Sequence, residues 1–179
     1  EAVAGDILDR DAVVRAAAGC DAIFHVAAHY SLARHRAALV ERTNVDGTAN
    51  AIAAAREHGA RLVHTSSVAT VGIPEDGTPG DEDTPLDPAI VIGAYKRSKL
   101  TSERMVLQAA REGLWATVVN PSAPVGPGDW KPTPTGRIVR DFLRGHLRAY
   151  VDTGLNVVDV RDVAAGHLLA LECGRPGRR

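Results

Sequence analysis

The stretch Asp21-Ala22-Ile23-Phe24-His25-Val26-Ala27-Ala28 decides the fold, because it is short and almost continuously apolar. A run of this kind is typical of a parallel strand that is buried on both faces. A helical pattern over residues 9–18 precedes it and ends at Gly19. A longer helical pattern follows from about Ala37 to His58 and is closed by Gly59. A helix, a strand and a helix in this order predict a fold that has both a layer of helices and a sheet.

The same alternation continues to the end of the chain. Strands are predicted over 61–66 and 115–120, short extended pieces at 151 and 157–160, helices from the segment of Tyr95 to about Glu112, over 135–143 and over 162–171, and Pro/Gly-rich loops over 72–89 and 121–134. Strands alternating with helices of these lengths predict an α/β protein with a doubly wound parallel sheet.

The composition excludes several classes of protein. Of 179 residues, 45% are hydrophobic and 24% are charged, which is ordinary for one globular domain. The net charge of -1 gives no reason to expect nucleic acid as a partner. No apolar run approaches the roughly 20 residues of a membrane span. Cys20 and Cys173 stand far apart without metal-ligand spacing, so we predict no metal site and no disulfide framework, and a reducing cytoplasm fits best.

Small and polar residues stand where each predicted strand stops. They are Val26, Ala27 and Ala28 after the first strand, Ser66 and Ser67 after the second, and Asn120, Pro121 and Ser122 after the third. Parallel sheets bind ligands at the carboxyl ends of their strands, and small residues there let a flat ring or a pyrophosphate approach the backbone. Strand ends also favour small residues for purely structural reasons, so each position alone is weak evidence.

Tyr95 and Lys99 stand four residues apart, so on a helix they share one face. A nearby cation favours the phenolate, which moves a tyrosine towards use as a base. Ser67, at the end of a predicted strand, could then hold the substrate oxygen. The same pair also arises by chance, or on the solvated face of an amphipathic helix, and the order of the surrounding elements is what favours a catalytic interpretation.

Other polar residues have structural interpretations. His25 and His64 lie on predicted buried strands, where an imidazole with hydrogen-bond partners is expected more often than a ligand. Asp159, Arg161 and Asp162 could cap the last helix or face substrate, and Asp162 is the preferred cap.

Eight motifs, in their order and spacing, carry a family resemblance. They are 5–9 (GDILD), 24–28 (FHVAA), 43–48 (TNVDGT), 65–67 (TSS), 81–85 (DEDTP), 95–99 (YKRSK), 120–122 with 125–128 (NPS and VGPG), and 158–164 (VDVRDVA). On these motifs the chain resembles an extended short-chain dehydrogenase/reductase, the group with sugar-nucleotide epimerases, dehydratases and dihydroflavonol reductase. Within the group, residues 131–139 and 149–160 resemble the hopanoid-associated sugar epimerase branch.

The resemblance implies a role for each matching residue. Tyr95 would be the general acid/base, Lys99 would lower its pKa and bind the nicotinamide ribose, and Ser67 would hold the reacting oxygen. The other implied contacts of NAD or NADP are Asp6 and Ile7 beside the adenine, Val26, Ala27 and Ala28 along the pyrophosphate and ribose, Asn44 near the active site, Thr65 on its strand, and Pro121 and Ser122 by the nicotinamide.

The resemblance also implies that the chain is one partial NAD(P)-binding Rossmann domain over 1–179, with 121–156 on the substrate side. The Gly-x-x-Gly-x-x-Gly turn with which the family opens is absent from the sequence. The chain is therefore expected to be a fragment that lacks the first βαβ unit and most of the substrate domain. Because helix 97–112 pairs with a second subunit in many members, a homodimer is an option that the sequence leaves open.

The implied activity is that of an NAD(P)-dependent epimerase or dehydratase acting on a nucleotide-sugar. The close alternative is an NADPH-dependent carbonyl reductase of the dihydroflavonol type, which would use Ser67, Tyr95 and Lys99 on a ketone. Further alternatives are a non-catalytic cofactor-binding scaffold and an inactive fragment, and the fragment alone is expected to bind no cofactor without the glycine turn.

Overall fold

The computed structural model describes residues 2–31, 33–130, 133–149 and 151–179. Three residues of the stretches that suggested the hopanoid-associated branch, Lys131, Pro132 and Tyr150, lie outside the described residues. The helices are α1 (Arg10–Ala16), α2 (Ala37–His58), α3 (Ala94–Arg111), α4 (Pro134–Leu143) and α5 (Val160–Cys173), and the strands are β1 (Ala22–His25), β2 (Arg61–Thr65), β3 (Ala116–Val119), β4 (Ala123–Val125) and β5 (Val157–Asp159).

Strands β1, β2 and β3 form one parallel sheet in that order. The register places His25 opposite His64, and His64 opposite Val118. The carboxyl ends of the three strands therefore meet at one edge. The small and polar residues that follow the strands in the sequence are brought to that edge, as predicted from the sequence.

Helices cover both faces of this sheet. Successive side chains of a strand point to opposite faces, and β2 follows this rule. Leu62 packs in a core cluster with residues of α2 and α3, whereas Arg61 donates to the carbonyl of Leu171 at 3.0 Å and Thr65 bonds to His167 at 2.7 Å, both on α5. The chain therefore has the predicted α/β, Rossmann-like, doubly wound arrangement.

The core lies between the sheet and helices α2 and α3. Many of its buried members are alanines, which let the two helices approach the strands closely. The buried members are Ala51, Ile52, Ala55, Leu62, Val106, Ala109, Leu114, Ala116 and Val118. Val106 is fully buried on α3, on the same helix as Tyr95 and Lys99. Packing of this face therefore positions the helix that carries the candidate catalytic residues.

We expect Val106→Ala to lower the free energy of unfolding by about 2–3 kcal/mol, because two buried methyl groups are lost and a cavity remains. Urea unfolding would measure the change. Val139→Ala, on α4 and 37% exposed, is the matched control and should change stability by less than about 0.5 kcal/mol. Equal losses in the two variants would contradict this location of the core.

The structure corrects three expectations about the elements. Strand β4 lies inside the predicted loop 121–134 and pairs in parallel with β5 as a second, two-stranded sheet. Its Ala-Pro-Val sequence has little strand character, and pairing with a distant segment stabilises it. Phe24 is 39% exposed, because β1 is an edge strand and α5 packs on β2 and β3. Val151 lies outside any strand.

The cap of α5 also differs from the expectation. Asp159, not Asp162, is the N-cap, and its carboxylate accepts from the backbone N–H of Arg161 at 2.8 Å. Asp162 lies in the first turn, where a negative charge is favourable at the positive end of the helix dipole. Of the helices that the structure describes, none has the length and apolar character needed to cross a membrane.

Candidate active site

The first turns of α3 bring Tyr95 and Lys99 to the carboxyl edge of the sheet. Gly93 caps the helix with φ of 94°, a conformation that favours glycine, and Tyr95 follows in the first turn. One turn later the Nζ of Lys99 donates to the carbonyl oxygen of Thr65 at 2.6 Å. Thr65 is the last residue of β2, so this bond attaches the helix to the strand end that precedes Ser67.

Lys99 is a buried ammonium group, 4% exposed. Burial lowers its pKa from 10.5 to about 8, and the carboxylate of Glu103 opposes this effect by favouring the charged form. Within the described part of the chain, Thr65 is its one hydrogen-bond acceptor. Two of its three N–H donors therefore have no acceptor among these residues.

Tyr95 is half-buried, and its ring packs edge-on against Tyr30 with ring centroids 4.6 Å apart. Burial raises the pKa of the Tyr95 phenol, and Tyr30 adds to the effect. Lys99 is not among the causes of this shift, and its ammonium is bonded to the Thr65 carbonyl, so the expected lowering of the Tyr95 pKa by Lys99 stays a prediction.

Ser67 is the second residue after the end of β2 and is half-buried. Its Oγ accepts from the backbone N–H of Ala69 at 3.2 Å and so caps a short 3-10 turn over Val68–Thr70. The backbone N–H of Val68 donates to the carbonyl of Pro121 at 2.9 Å, which joins this turn to the end of β3. Since Ser67 Oγ is an acceptor in the cap, its hydroxyl proton remains available to a substrate oxygen.

Asn44 joins the segment after β1 to the first turns of α3. Its Oδ1 accepts from the N–H of His29 at 2.7 Å, and its Nδ2 donates to the His29 carbonyl at 3.2 Å and to Ser98 Oγ at 2.8 Å. Ser98 Oγ in turn donates to the carbonyl of Tyr95 at 2.8 Å. The amide of Asn44 is therefore used by the protein itself, and a direct contact with cofactor stays a prediction.

The other predicted cofactor residues lie in two places. Val26, Ala27 and Ala28 are exposed immediately after β1, and Pro121 and Ser122 are half-buried immediately after β3, so these five share the edge with Ser67.

Asp6 and Ile7 lie against α2 instead. Asn50 donates to the carbonyl of Ile7 at 2.8 Å, and a Cβ added at Gly47 would come within 2.8 Å of the Ile7 side chain. Asp6 is exposed and accepts from the N–H of Leu8 at 2.9 Å.

Glu103, a carboxylate that is only 2% exposed, was not predicted from the sequence. It stands four residues after Lys99 and eight after Tyr95, so all three share one face of α3. This spacing was the signal that could have found it. Tyr30 was also missed, and nothing in its sequence context indicates that its ring contacts Tyr95.

The buried histidines divide into two kinds. His25 Nε2 bonds to Thr48 Oγ1 at 2.9 Å, which confirms the expectation of a partnered core imidazole. For His64 the expectation is wrong among the residues that the structure describes, where both ring nitrogens are buried without a partner. Burial keeps the pKa of His64 well below its usual value, and His25, Lys99 and His167 add to this effect, so its ring stays neutral.

We expect acid to destabilise the fold partly through His25, whose pKa burial lowers from 6.5 to about 4. Between these pH values the unfolded chain binds a proton that the folded chain does not bind. The free energy of unfolding should therefore decrease as the pH is lowered, by about 3 kcal/mol at the limit. His25→Gln can keep a bond to Thr48 and cannot titrate, so its urea-unfolding free energy should depend less on pH. The exposed control His35→Gln should keep the wild-type slope, and an unchanged slope for His25→Gln would contradict the prediction.

Groups of three or more His, Cys, Asp or Glu side chains that could hold a metal ion are absent from the residues that the structure describes. The polar groups at the edge include hydroxyl groups, the Tyr95 phenol, the Lys99 ammonium and the buried Glu103 carboxylate.

Comparison with known proteins gives relatives that share this fold. A putative dihydroflavonol 4-reductase from Synechocystis is 50% identical over 97% of this chain and 50% of its own length. The crystal structure of DesIV, a dTDP-glucose 4,6-dehydratase from Streptomyces venezuelae solved with NAD bound, is 30% identical, with a TM-score of 0.82 over 97% of this chain and 55% of that chain. The structure of RMD from Pseudomonas aeruginosa, complexed with NADPH, shares the fold at 24% identity and a TM-score of 0.80, over 98% of this chain and 63% of that chain.

The chain thus spans about half the length of the curated relative. The family model for the NAD dependent epimerase/dehydratase family matches residues 1–179. Members of this family use NAD or NADP, as expected from the resemblance. The chain therefore belongs to the NAD dependent epimerase/dehydratase family, within the extended short-chain dehydrogenases/reductases.

Proposed function

We propose that this chain is the proton-handling part of an NAD(P)-dependent oxidoreductase that interconverts a ketone and a secondary alcohol. The bond of 2.6 Å between Lys99 Nζ and the Thr65 carbonyl carries the proposal. It attaches the helix of Tyr95 to the strand end that leads into Ser67. A phenol, an ammonium group and a hydroxyl group are thereby assembled on one edge, where parallel sheets bind ligands.

The residues at this edge suit a nicotinamide cofactor. Lys99 has two N–H donors for ribose hydroxyl groups, and Val26, Ala27 and Ala28 are exposed and small enough for close approach. The cofactor supplies the hydride when bound. The protein itself must then place the substrate carbonyl and transfer one proton. We assign these two roles to Ser67, Tyr95 and Lys99.

In the proposed reduction, the Ser67 hydroxyl donates a hydrogen bond to the ketone oxygen. The Tyr95 O–H bond breaks and its proton goes to that oxygen, as the carbonyl carbon receives the hydride that a bound cofactor would supply. The ketone would thereby become a secondary alcohol. Lys99 stabilises the phenolate left on Tyr95, since opposite charges attract strongly in a buried site.

Reduction is the first direction to consider. In reduction the Tyr95 phenol starts with its proton and acts as an acid, whereas an epimerase that begins by oxidising an alcohol needs Tyr95 as a base first. The relative of 50% identity is named as a putative reductase, in agreement with this direction. Carbonyl reduction is accordingly the first candidate.

A sugar-nucleotide epimerase or dehydratase is the second candidate. The observation that favours it is the TM-score of 0.82 with DesIV, a dTDP-glucose 4,6-dehydratase. Such an enzyme would use the same three side chains, Ser67, Tyr95 and Lys99, but would return the hydride to the product. The two candidates therefore differ in whether cofactor is consumed.

An assay of the complete protein that contains this chain separates the candidates. Ketones and dTDP-glucose would each be offered with NADH or NADPH and with the oxidised cofactors. Cofactor oxidised in a one-to-one ratio with ketone would support the reductase, and conversion of the nucleotide-sugar without net cofactor change would support the second candidate. Conversion of neither, by folded protein that binds cofactor, would contradict the proposed activity. The non-catalytic scaffold would then be the better interpretation.

The capacity of the 179-residue chain for cofactor is a separate question. We propose that it binds NAD and NADP weakly or not at all, because its sequence has no glycine turn for the pyrophosphate. Isothermal titration calorimetry of the chain alone would measure this. Micromolar binding would contradict the proposal and would show that the strand ends suffice.

A further inference from the structure

Glu103 is a buried carboxylate for which the proposed reaction has no direct use. It lies on α3 one turn beyond Lys99, facing the same edge of the sheet, and is 2% exposed. Polar side chains so deeply buried are retained where partners compensate for the lost water. The partners of Glu103 therefore indicate where it acts.

One oxygen of Glu103 accepts three hydrogen bonds. Oε2 accepts from Ser66 Oγ at 2.5 Å, from Thr70 Oγ1 at 2.6 Å and from Asn120 Nδ2 at 2.7 Å. Ser66 follows β2, Thr70 ends the 3-10 turn, and Asn120 follows β3. A single carboxylate oxygen on α3 thus ties two strand ends and the turn between them.

Ser67 lies between two of these donors in the chain. Its carbonyl oxygen accepts from the backbone N–H of Thr70 at 3.0 Å and from Asn120 Nδ2 at 3.2 Å. Thr70 has one hydroxyl proton for two acceptors, Glu103 Oε2 and the Ser67 carbonyl at 2.7 Å, and the carboxylate is the stronger acceptor. The side chains of Ser66 and Thr70, on either side of Ser67 in the chain, are therefore both held by Glu103.

The other oxygen of Glu103 pairs with a buried cation. Oε1 accepts from Arg179 at 2.9 Å, and the two side chains are 2% and 14% exposed. Arg179 also donates to the carbonyls of Thr70 at 3.1 Å and Thr84 at 2.8 Å. The Arg179 guanidinium thus compensates the negative charge of Glu103. It also holds the 3-10 turn through the Thr70 carbonyl.

We infer that Glu103 is a positioning residue, which holds the Ser67 hydroxyl in place relative to Tyr95 and Lys99. The inference rests on the proposed function. Glu103 is on the same helix as Tyr95 and Lys99 and is bonded to Ser66 and Thr70, on either side of Ser67, so it links the two halves of the site. Displacement of a positioning group by about 1 Å can cost on the order of 100-fold in rate.

The test is a double-mutant cycle in the complete protein, with Glu103→Gln, Ser67→Ala and the double variant. Glutamine keeps the size of the side chain but removes the charge and turns an N–H₂ group towards donors. We expect Glu103→Gln to lower kcat by about tenfold or more, with the KM of the cofactor changed by less than about threefold. In the Ser67→Ala background it should lower kcat by less than about twofold, because the group that it positions is gone.

Glu112→Gln is the matched control, since Glu112 is exposed near the end of α3 and pairs with Arg56; we expect it to leave kcat unchanged. Wild-type kcat in Glu103→Gln would overturn the inference. An equal loss with and without Ser67 would also overturn it, since a merely structural role gives additive effects. If Glu103→Gln does not fold, Ser66→Ala enters the same cycle, with an expected loss of about threefold that again disappears without Ser67.

The same data distinguish this inference from the proposed function. If the complete protein turns over and Tyr95→Phe does not, the proposed function stands whatever Glu103→Gln does. If Tyr95→Phe turns over as well as the wild type, the assignment of the acid/base is wrong and the positioning inference falls with it.

Discussion

Tyr95→Phe in the complete protein is expected to lower kcat by about 10²- to 10⁴-fold, the range in which one positioned acid or base contributes. The substitution removes only the phenolic oxygen, so the ring can keep its edge-on packing against Tyr30. The contacts of Lys99 with Thr65 involve no atom of Tyr95. Cofactor affinity should therefore change by less than about threefold. Stopped-flow kinetics and calorimetric titration of the cofactor would measure the two quantities.

Tyr30→Phe is the comparison variant for this prediction. It removes a phenolic oxygen from the neighbouring ring and retains the packing, so turnover should remain within about threefold of wild type. Turnover of Tyr95→Phe comparable to that of Tyr30→Phe would refute the role of Tyr95 as acid/base. If Tyr30→Phe alone were inactive, Tyr30 would be the better candidate for that role.

The arrangement of strands and helices could be read from the sequence because short apolar runs and helical patterns are local signals. The strand ends that carry Val26, Ser67 and Pro121 were predictable for the same reason, since parallel pairing brings carboxyl ends together. Strand β4 was not predictable in this way. Its three residues gain strand structure by pairing with β5, and a partner so far along the chain leaves no trace in the local pattern.

The electrostatics of the site were less predictable than its residues. A spacing of four residues correctly put Tyr95 and Lys99 on one helix, but it could not show that the Lys99 ammonium bonds to the Thr65 carbonyl. Nor could it show that burial would raise the pKa of Tyr95. Glu103 followed at the same spacing and was overlooked, because its burial depends on Arg179, 76 residues away in the chain.

Lys99→Met should both inactivate the enzyme and stabilise the fold. Burial lowers the pKa of Lys99 from 10.5 to about 8, so holding it charged at neutral pH costs about 3 kcal/mol of folding free energy. Methionine fills a similar volume without a charge, and only the bond to the Thr65 carbonyl is lost, which is worth about 1 kcal/mol. We expect a net gain of about 1–2 kcal/mol near neutral pH, measured by urea unfolding.

The pH dependence of stability gives a second signature of the same group. Between pH about 8 and 10.5 the unfolded chain holds the Lys99 proton that the folded chain has released, so wild-type stability should rise with pH in that window. Lys99→Met should lack this rise, whereas Lys96→Met, an exposed neighbour on α3, should keep it. A loss of stability in Lys99→Met would contradict the cost assigned to the buried charge.

Activity should change in the opposite direction to stability. Without the ammonium group nothing on α3 stabilises the phenolate that Tyr95 forms on donating its proton, and the two N–H donors proposed for the ribose hydroxyl groups are lost. We expect kcat/KM of the complete Lys99→Met protein to fall by at least about 100-fold, with Lys96→Met unaffected. A variant that is more stable and yet inactive would show that burial of Lys99 is kept for chemistry at the expense of stability. A variant that is more stable and fully active would remove Lys99 from the proposed site.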